Sequence, residues 1–343
     1  MYARMRNVCM RSGKWNIVNW ILGAAIMVGL AACSSIDEDM SDCGEEYEME
    51  YELRLITNIE TELQTELTTQ TEQRVADALR SHLANIFTDY ARDINISFYA
   101  TSKEANLLYR RSDMMNDNEK TYSFFLPMQE YRHLALANLQ SNSVVSMTGG
   151  DQSNDLALVE KQGETIESHE TGIFTARADL EVLEGEDQTY HVDLYMSNSA
   201  TALVIENPEG VQVKDIQVYA TGFATGFNVN DSTYTFVENP PLVHAQPVNT
   251  GTDETLCFCT VNFPSRDQAE GDEPLWKYVV YVTLADGSVT KSVLEMKEPL
   301  NAGDLKVVKS YLSPDGGVRP ESTLVGVSIT LEWKQGGSYE TEM

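Results

Sequence analysis

The chain has 343 residues, with 53 acidic against 24 basic side chains, a formal net charge of −29 and 42% hydrophobic residues. That balance excludes a nucleic-acid binder, which needs cationic surface to displace the counterions of phosphates, and it repels an anionic membrane surface. Five histidines and five cysteines are scattered with no zinc-like spacing, so no metal and no cofactor is expected.

The first 17 residues carry Arg4, Arg6, Arg11 and Lys14 and no acid, and an apolar stretch runs from Ile17 to Ala32. A basic segment, a short apolar one and small residues at its end have the form of an export signal. The stretch is shorter than the roughly 20 apolar residues of a spanning helix. It closes on Leu30-Ala31-Ala32-Cys33, which resembles a bacterial lipobox, where the peptide is cut between Ala32 and Cys33 and the cysteine is lipidated. Small side chains suit a narrow peptidase site, and a thiolate is the nucleophile that makes a thioether with diacylglycerol. More than one acyl chain gives stable anchoring. Residues 1–32 are therefore expected to be removed, and residues 33–45 to form a lipidated acidic spacer. Asp37-Glu38-Asp39 resembles the acidic export address of some surface lipoproteins of Bacteroidetes, and reads equally as a solvated spacer. The remaining 311 residues hold 20 basic and 53 acidic side chains, net −33, and suit two domains.

The sequence from 46 onward has mostly a period of two. In EYEMEYELRLI, Tyr47, Met49, Tyr51, Leu53 and Leu55 alternate with Glu48, Glu50, Glu52 and Arg54, predicting a strand with one wet face. From Thr71 to Tyr90 the period changes: Val75, Leu79, Leu83, Ile86, Phe87 and Tyr90 recur at helical spacing behind a candidate N-cap, Thr71. This predicts one amphipathic helix laid against a sheet of the first domain. Residues 149–170, rich in Gly, Ser, Asn and Glu, read mostly as loop. Strand patterns follow at 190–196 and 216–220, and Asp286-Gly287 between two apolar runs suits a two-residue type I′ hairpin. The run from Val325 to Lys334 alternates cleanly and predicts a closing strand. Turn-formers at 198–201 and at Asn207-Pro208-Glu209-Gly210 put a domain boundary near residue 200, giving β-sandwich domains over 46–200 and 201–343.

Beyond Cys33, the thiols from this point are Cys43, Cys257 and Cys259. The last two alternate on a predicted strand and share one face. A bridge between them would be strained; Cys43 pairing with one of them in an oxidising compartment and burial as free thiols both stay open. No nucleophile elbow, phosphate loop or dinucleotide fingerprint is present. The calcium-like run Asp151 to Asp155 lacks the sixth-position glycine and has Gln162 at position twelve, so it reads as a polar loop. Glu48, Glu50 and Glu52 read as a solvated strand face rather than paired catalytic carboxylates. Nothing requires an enzyme or a small-molecule substrate. Asp231-Ser232-Thr233 resembles a Bacteroidetes O-glycosylation motif on Ser232 and is equally a plain turn.

The linear order carries a resemblance. A lipobox is followed by an acidic SDC, an alternating first strand, INISFYA, YSFFLPMQEYRHLALANL, YATGFATGFNVNDSTYTF (219–236), LNAGDLKVVKSYL and a closing VGVSITLEWKQG. This is similar to the FimB-type fimbrial anchor-subunit family of Bacteroidetes, within the fimbrillin superfamily of type V pili. The resemblance implies a mainly β fold of two tandem transthyretin-like β-sandwich domains. It also implies a lipid-bearing subunit that tethers the base of a fimbrium to the outer membrane and bears on its length. The implied partner is a fimbrial shaft subunit, engaged by strand addition or edge contact. Polymerising members are cut after an arginine to open a strand-accepting groove. Here the first basic residue after Cys33 is Arg54, inside the predicted first strand, and an uncut strand suits an anchor. Cleavage there would instead mark a polymerising accessory subunit. A surface lipoprotein module binding glycans or host proteins is the other reading.

Overall fold

Alternation of apolar and polar residues builds sheets rather than helices over most of the chain. The computed structural model describes residues 46–56, 67, 70–87, 91–114, 121–183, 188–207, 210–252, 254–269, 271, 273–322 and 326–332. Among them the fold is mainly β, with one α-helix and four sheets stacked as sandwiches.

A seven-stranded sheet is made from residues 46–196. Its order is β3 (Leu107–Met114), β2 (Asp93–Ala100), β5 (Glu130–Ala137), β9 (Phe174–Glu181), β10 (Gln188–Met196), β1 (Glu46–Ile56) and β4 (Thr121–Pro127). The first strand lies inside this sheet, parallel to β10 and antiparallel to β4. As the alternation predicts, Met49 is buried while Glu48, Glu50 and Glu52 face water.

A five-stranded sheet has the order β16 (Gln246–Val248), β17 (Thr255–Asn262), β11 (Ser199–Glu206), β20 (Leu305–Leu312) and β21 (Val318–Pro320). Its centre, β11, is buried on both faces. Ala200, Ala202 and Val204 join one core, and Leu203 and Ile205 another. The turn expected at 198–201 is thus the start of a central strand. Its Ser and Thr read as turn-formers but are buried and bonded, as in the Thr201–Thr260 hydroxyl pair at 2.6 Å.

The six-stranded sheet runs β22 (Gly326–Glu332), β19 (Val289–Met296), β18 (Trp276–Leu284), β12 (Val213–Thr221), β15 (Leu242–His244) and β8 (Thr165–Glu167). It packs on the second face of the five-stranded sheet through Val218, Val280, Val282, Leu294 and Phe258. A four-stranded sheet, β14 (Thr233–Thr235), β13 (Gly226–Asn228), β7 (Ala157–Glu160) and β6 (Val145–Thr148), covers part of the outer face of the seven-stranded sheet through Leu134, Leu136, Leu158 and Phe227. Strands before residue 200 therefore pair with strands after it: β7 with β13, and β8 with β15.

The helix α1 spans Gln70–Ala84, so Thr71 lies in its first turn, and Ile86 and Phe87 follow its end. Tyr90 lies outside the described residues. Val75, Ala76, Leu79 and Leu83 enter a core shared by the seven-stranded and five-stranded sheets, and Glu72 pairs with Lys309 of β20. The helix is not confined to a sheet of residues 46–200, as its position in the chain suggested. It contacts β16 as well.

Two loop expectations change. The segment 149–170 contains β7, β8 and a short 3₁₀ turn, Ser153–Asp155. The Asp155 carboxylate that looked calcium-like accepts the Gly150 and Gln152 N–H groups at 2.7 and 3.1 Å. Gly149 stands at φ 69, and a Cβ there would meet the Asp155 carbonyl at 2.1 Å, so glycine is required. The β18–β19 hairpin is not the two-residue turn expected. Gly287 has φ 86 while Asp286 keeps a negative φ. Gly287 N–H donates to Leu284 O at 3.0 Å, and Leu284 N–H to Ser288 O at 2.9 Å, a three-residue loop with glycine in the left-handed position.

Candidate functional site

Several residues singled out in the sequence lie outside the described residues: Ala32, Cys33, Asp37, Glu38, Asp39 and Cys43. Arg54 lies in β1, its backbone opposite Asp193 of β10. Ser232 is exposed at φ 57 in the β13–β14 turn, where Asp231 Oδ1 accepts from Thr233 N–H at 3.1 Å. Cys257 and Cys259 are free, buried thiols on one face of β17. Burial pushes the Cys257 thiol up to about 12 and the Cys259 thiol higher still, with the neighbouring Cys257 adding to the shift. Neither is a reactive nucleophile. Among the described residues no group of three or more His, Cys, Asp or Glu side chains is placed to hold a metal, and no helix is long and apolar enough to cross a membrane.

A groove of about 980 Å³ lies between β12 on one side and β16 and β17 on the other. Its floor is apolar, with Val211, Val213, Ile216, Leu256 and Phe258. Lys214, Asp215 and Glu254 stand exposed at its rim. One end is braced by Asn207. Its Oδ1 accepts Val211 N–H at 2.8 Å, its Nδ2 donates to Val211 O at 3.0 Å, and its own N–H donates to Glu254 O at 2.8 Å. Gly210 (φ 61) donates to Asn207 O at 3.2 Å, closing the turn that the sequence signalled there.

The groove exists because β12 outruns its neighbour. Eight residues of β12 pair with β18, but β15 matches only Tyr219 and Ala220 before the chain crosses at Ala245 to β16 in the other sheet. On the outward face of β12 a polar ladder forms instead. The Tyr219 hydroxyl donates to Gln217 Oε1 and Gln217 Nε2 to Asp215 Oδ2, both at 3.2 Å. Sequence reasoning found the strand and the turn but not the groove. A three-residue β15 in a polar stretch carries no periodic signal.

These sheets and the apolar slot between β12 and β16–β17 define a β-sandwich protein. No protein-family profile matches the chain, and no curated protein does. Solved structures do. A candidate adhesin of Bacteroides thetaiotaomicron matches with a TM-score of 0.52 at 11% identity, over 83% of this chain and 96% of that one. A candidate adhesin of Bacteroides ovatus matches with a TM-score of 0.50 at 10% identity, over 89% of this chain and 99% of that one. The fimbrial anchor protein Mfa2 from Porphyromonas gingivalis also matches, at 10% identity with a TM-score of 0.43, too low to carry an argument. The first two matches show a shared fold.

Proposed function

We propose that this chain is a non-enzymatic, lipid-anchored fimbrial subunit that tethers the base of a fimbrium to the outer membrane, facing outward. The observation that carries it is Leu30-Ala31-Ala32-Cys33 behind a basic and apolar leader, ahead of a fold shared with candidate adhesins. Lipidated Cys33 holds the membrane end. Asp37 to Asp39 serve as spacer and export address. The position of β1 supports its retention: it is hydrogen-bonded to β10 and β4 on its two sides, so losing it after a cut at Arg54 would split the sheet. An uncut subunit leaves no vacancy at β1 and terminates a polymer.

A second reading, a surface module that binds glycans or host proteins, is favoured by Tyr219, His244 and Tyr281. They cluster on the outward face of the six-stranded sheet, with ring centroids 5.4 and 6.3 Å from Tyr219. Cys33→Ala followed by fractionation separates the two. Release of fimbriae into the medium supports the anchor. Cell-attached fimbriae alongside a mislocalised subunit reject it and leave the binding module.

A further inference from the structure

We propose that the groove between β12 and β16–β17 receives an extended segment of a neighbouring fimbrial subunit, which joins the six-stranded sheet as a strand antiparallel to β12. This rests on the fimbrial reading above and names the surface that engages the partner.

Backbone direction carries the inference. Val218 O accepts the Ala245 N–H at 2.8 Å, so the polar groups of Val218 point away from β18 and toward β15. Alternate residues of an antiparallel strand send their N–H and C=O to the same side. The Val218 N–H and both polar groups of Ile216 therefore face the groove. Among the described residues nothing bonds to them, because β15 has ended at His244. Unpaired donors and acceptors at strand spacing along an apolar slot are what another polypeptide backbone satisfies. The line of β15 continues over Val213 to Gln217, a length of about 17 Å at 3.4 Å per residue.

The side chains set what the incoming strand must carry. Facing residues of an antiparallel pair share a face, so the residue opposite Ile216 points inward onto Leu256 and Phe258 and must be apolar. Residues opposite Asp215 and Gln217 point outward and are polar, and with Asp215 and Glu254 against the single Lys214 at the rim, a basic residue is favoured there over an acidic one. The required segment alternates polar and apolar over about five residues.

The test uses the full chain extracted in detergent, alone and together with co-purified fimbriae. Hydrogen–deuterium exchange is followed in peptides covering 211–219. The Ile216 and Val218 amides should exchange at least tenfold more slowly in the assembly than in the isolated subunit. Ile216→Pro removes the groove-facing N–H and leaves the β18 ladder donors in place, so fimbriae should be shed by cells expressing it. Should that variant fail to fold, Pro247→Trp, at an exposed position on the opposite wall, fills the slot and should give the same shedding. Co-purified fimbriae with unchanged exchange at 211–219, or fimbriae retained by the folded variants, overturn the groove. If no fimbrial subunit co-purifies with the wild-type chain, the fimbrial reading itself fails, and the proposal falls with it.

Discussion

Replacing Asn198 by alanine should cost about 2–5 kcal/mol of folding stability. The side chain is fully buried. Its Oδ1 accepts the Ile173 N–H at 3.1 Å, and its Nδ2 donates to Thr171 O at 2.9 Å. The Nδ2 also lies 3.4 Å from His169 Nδ1, which sets that nitrogen as an acceptor and leaves Nε2–H to donate to Glu160 Oε1 at 2.9 Å. His169 and Glu160 are buried as well. Truncation strands a buried backbone N–H and a buried C=O, each costing about 1–3 kcal/mol when unmade, and frees the imidazole that holds a buried carboxylate. Asn198→Asp keeps the acceptor but removes the donor and adds a charge near Glu160, so it should cost at least as much. Guanidinium unfolding at pH 7, followed by tryptophan fluorescence, measures both. A loss below about 1 kcal/mol for Asn198→Ala, or a harmless Asn198→Asp, would refute the claim that this residue locks the seam ahead of β11.

Leu79→Ala in α1 removes a fully buried side chain and should destabilise by about 2–5 kcal/mol in the same assay. Burial holds the His133 pKa down to about 4, against 6.5 when unfolded. The unfolded chain takes up that proton first, so this contribution is complete above about pH 6.5 and fades as pH falls through about 4, by about 3 kcal/mol. Wild type should therefore lose more stability than His133→Gln between pH 7.5 and pH 4, and equal losses would contradict the assignment. Cys257 and Cys259 should resist alkylation at pH 8 in the native state and react at once in denaturant; rapid native labelling would show the β17 face to be open. Deleting 324–343 removes edge strand β22 from β19; cells that keep their fimbriae after this deletion would show that the closing strand is no essential donor.

Where one face of a strand is wet, the sequence was legible. β1 shows it, with Met49 inside and three glutamates outside, and so does α1, whose apolar stripe is the buried one. Legibility failed where both faces are covered or pairing is distant. SATALVIE has no alternation because two cores take its two faces, so its polar start resembled a turn. β8, three residues long, is a strand through a partner some 77 residues away in sequence, β15, and β7, four residues long, pairs with nearby β6 and with β13 some 70 residues on. Such pairings leave no local periodicity to read. The groove lies in the same blind spot, since it exists through the early end of β15. The proposed attachment at Cys33 rests on its sequence motif alone.

The most direct measurement is mass spectrometry of the mature N-terminus from outer-membrane preparations. The expected chain begins at Cys33 and carries a diacyl thioether and an N-acyl group, with the sequence through Arg54 intact. An unlipidated N-terminus, or one that begins at Leu55 after cleavage at Arg54, would contradict it.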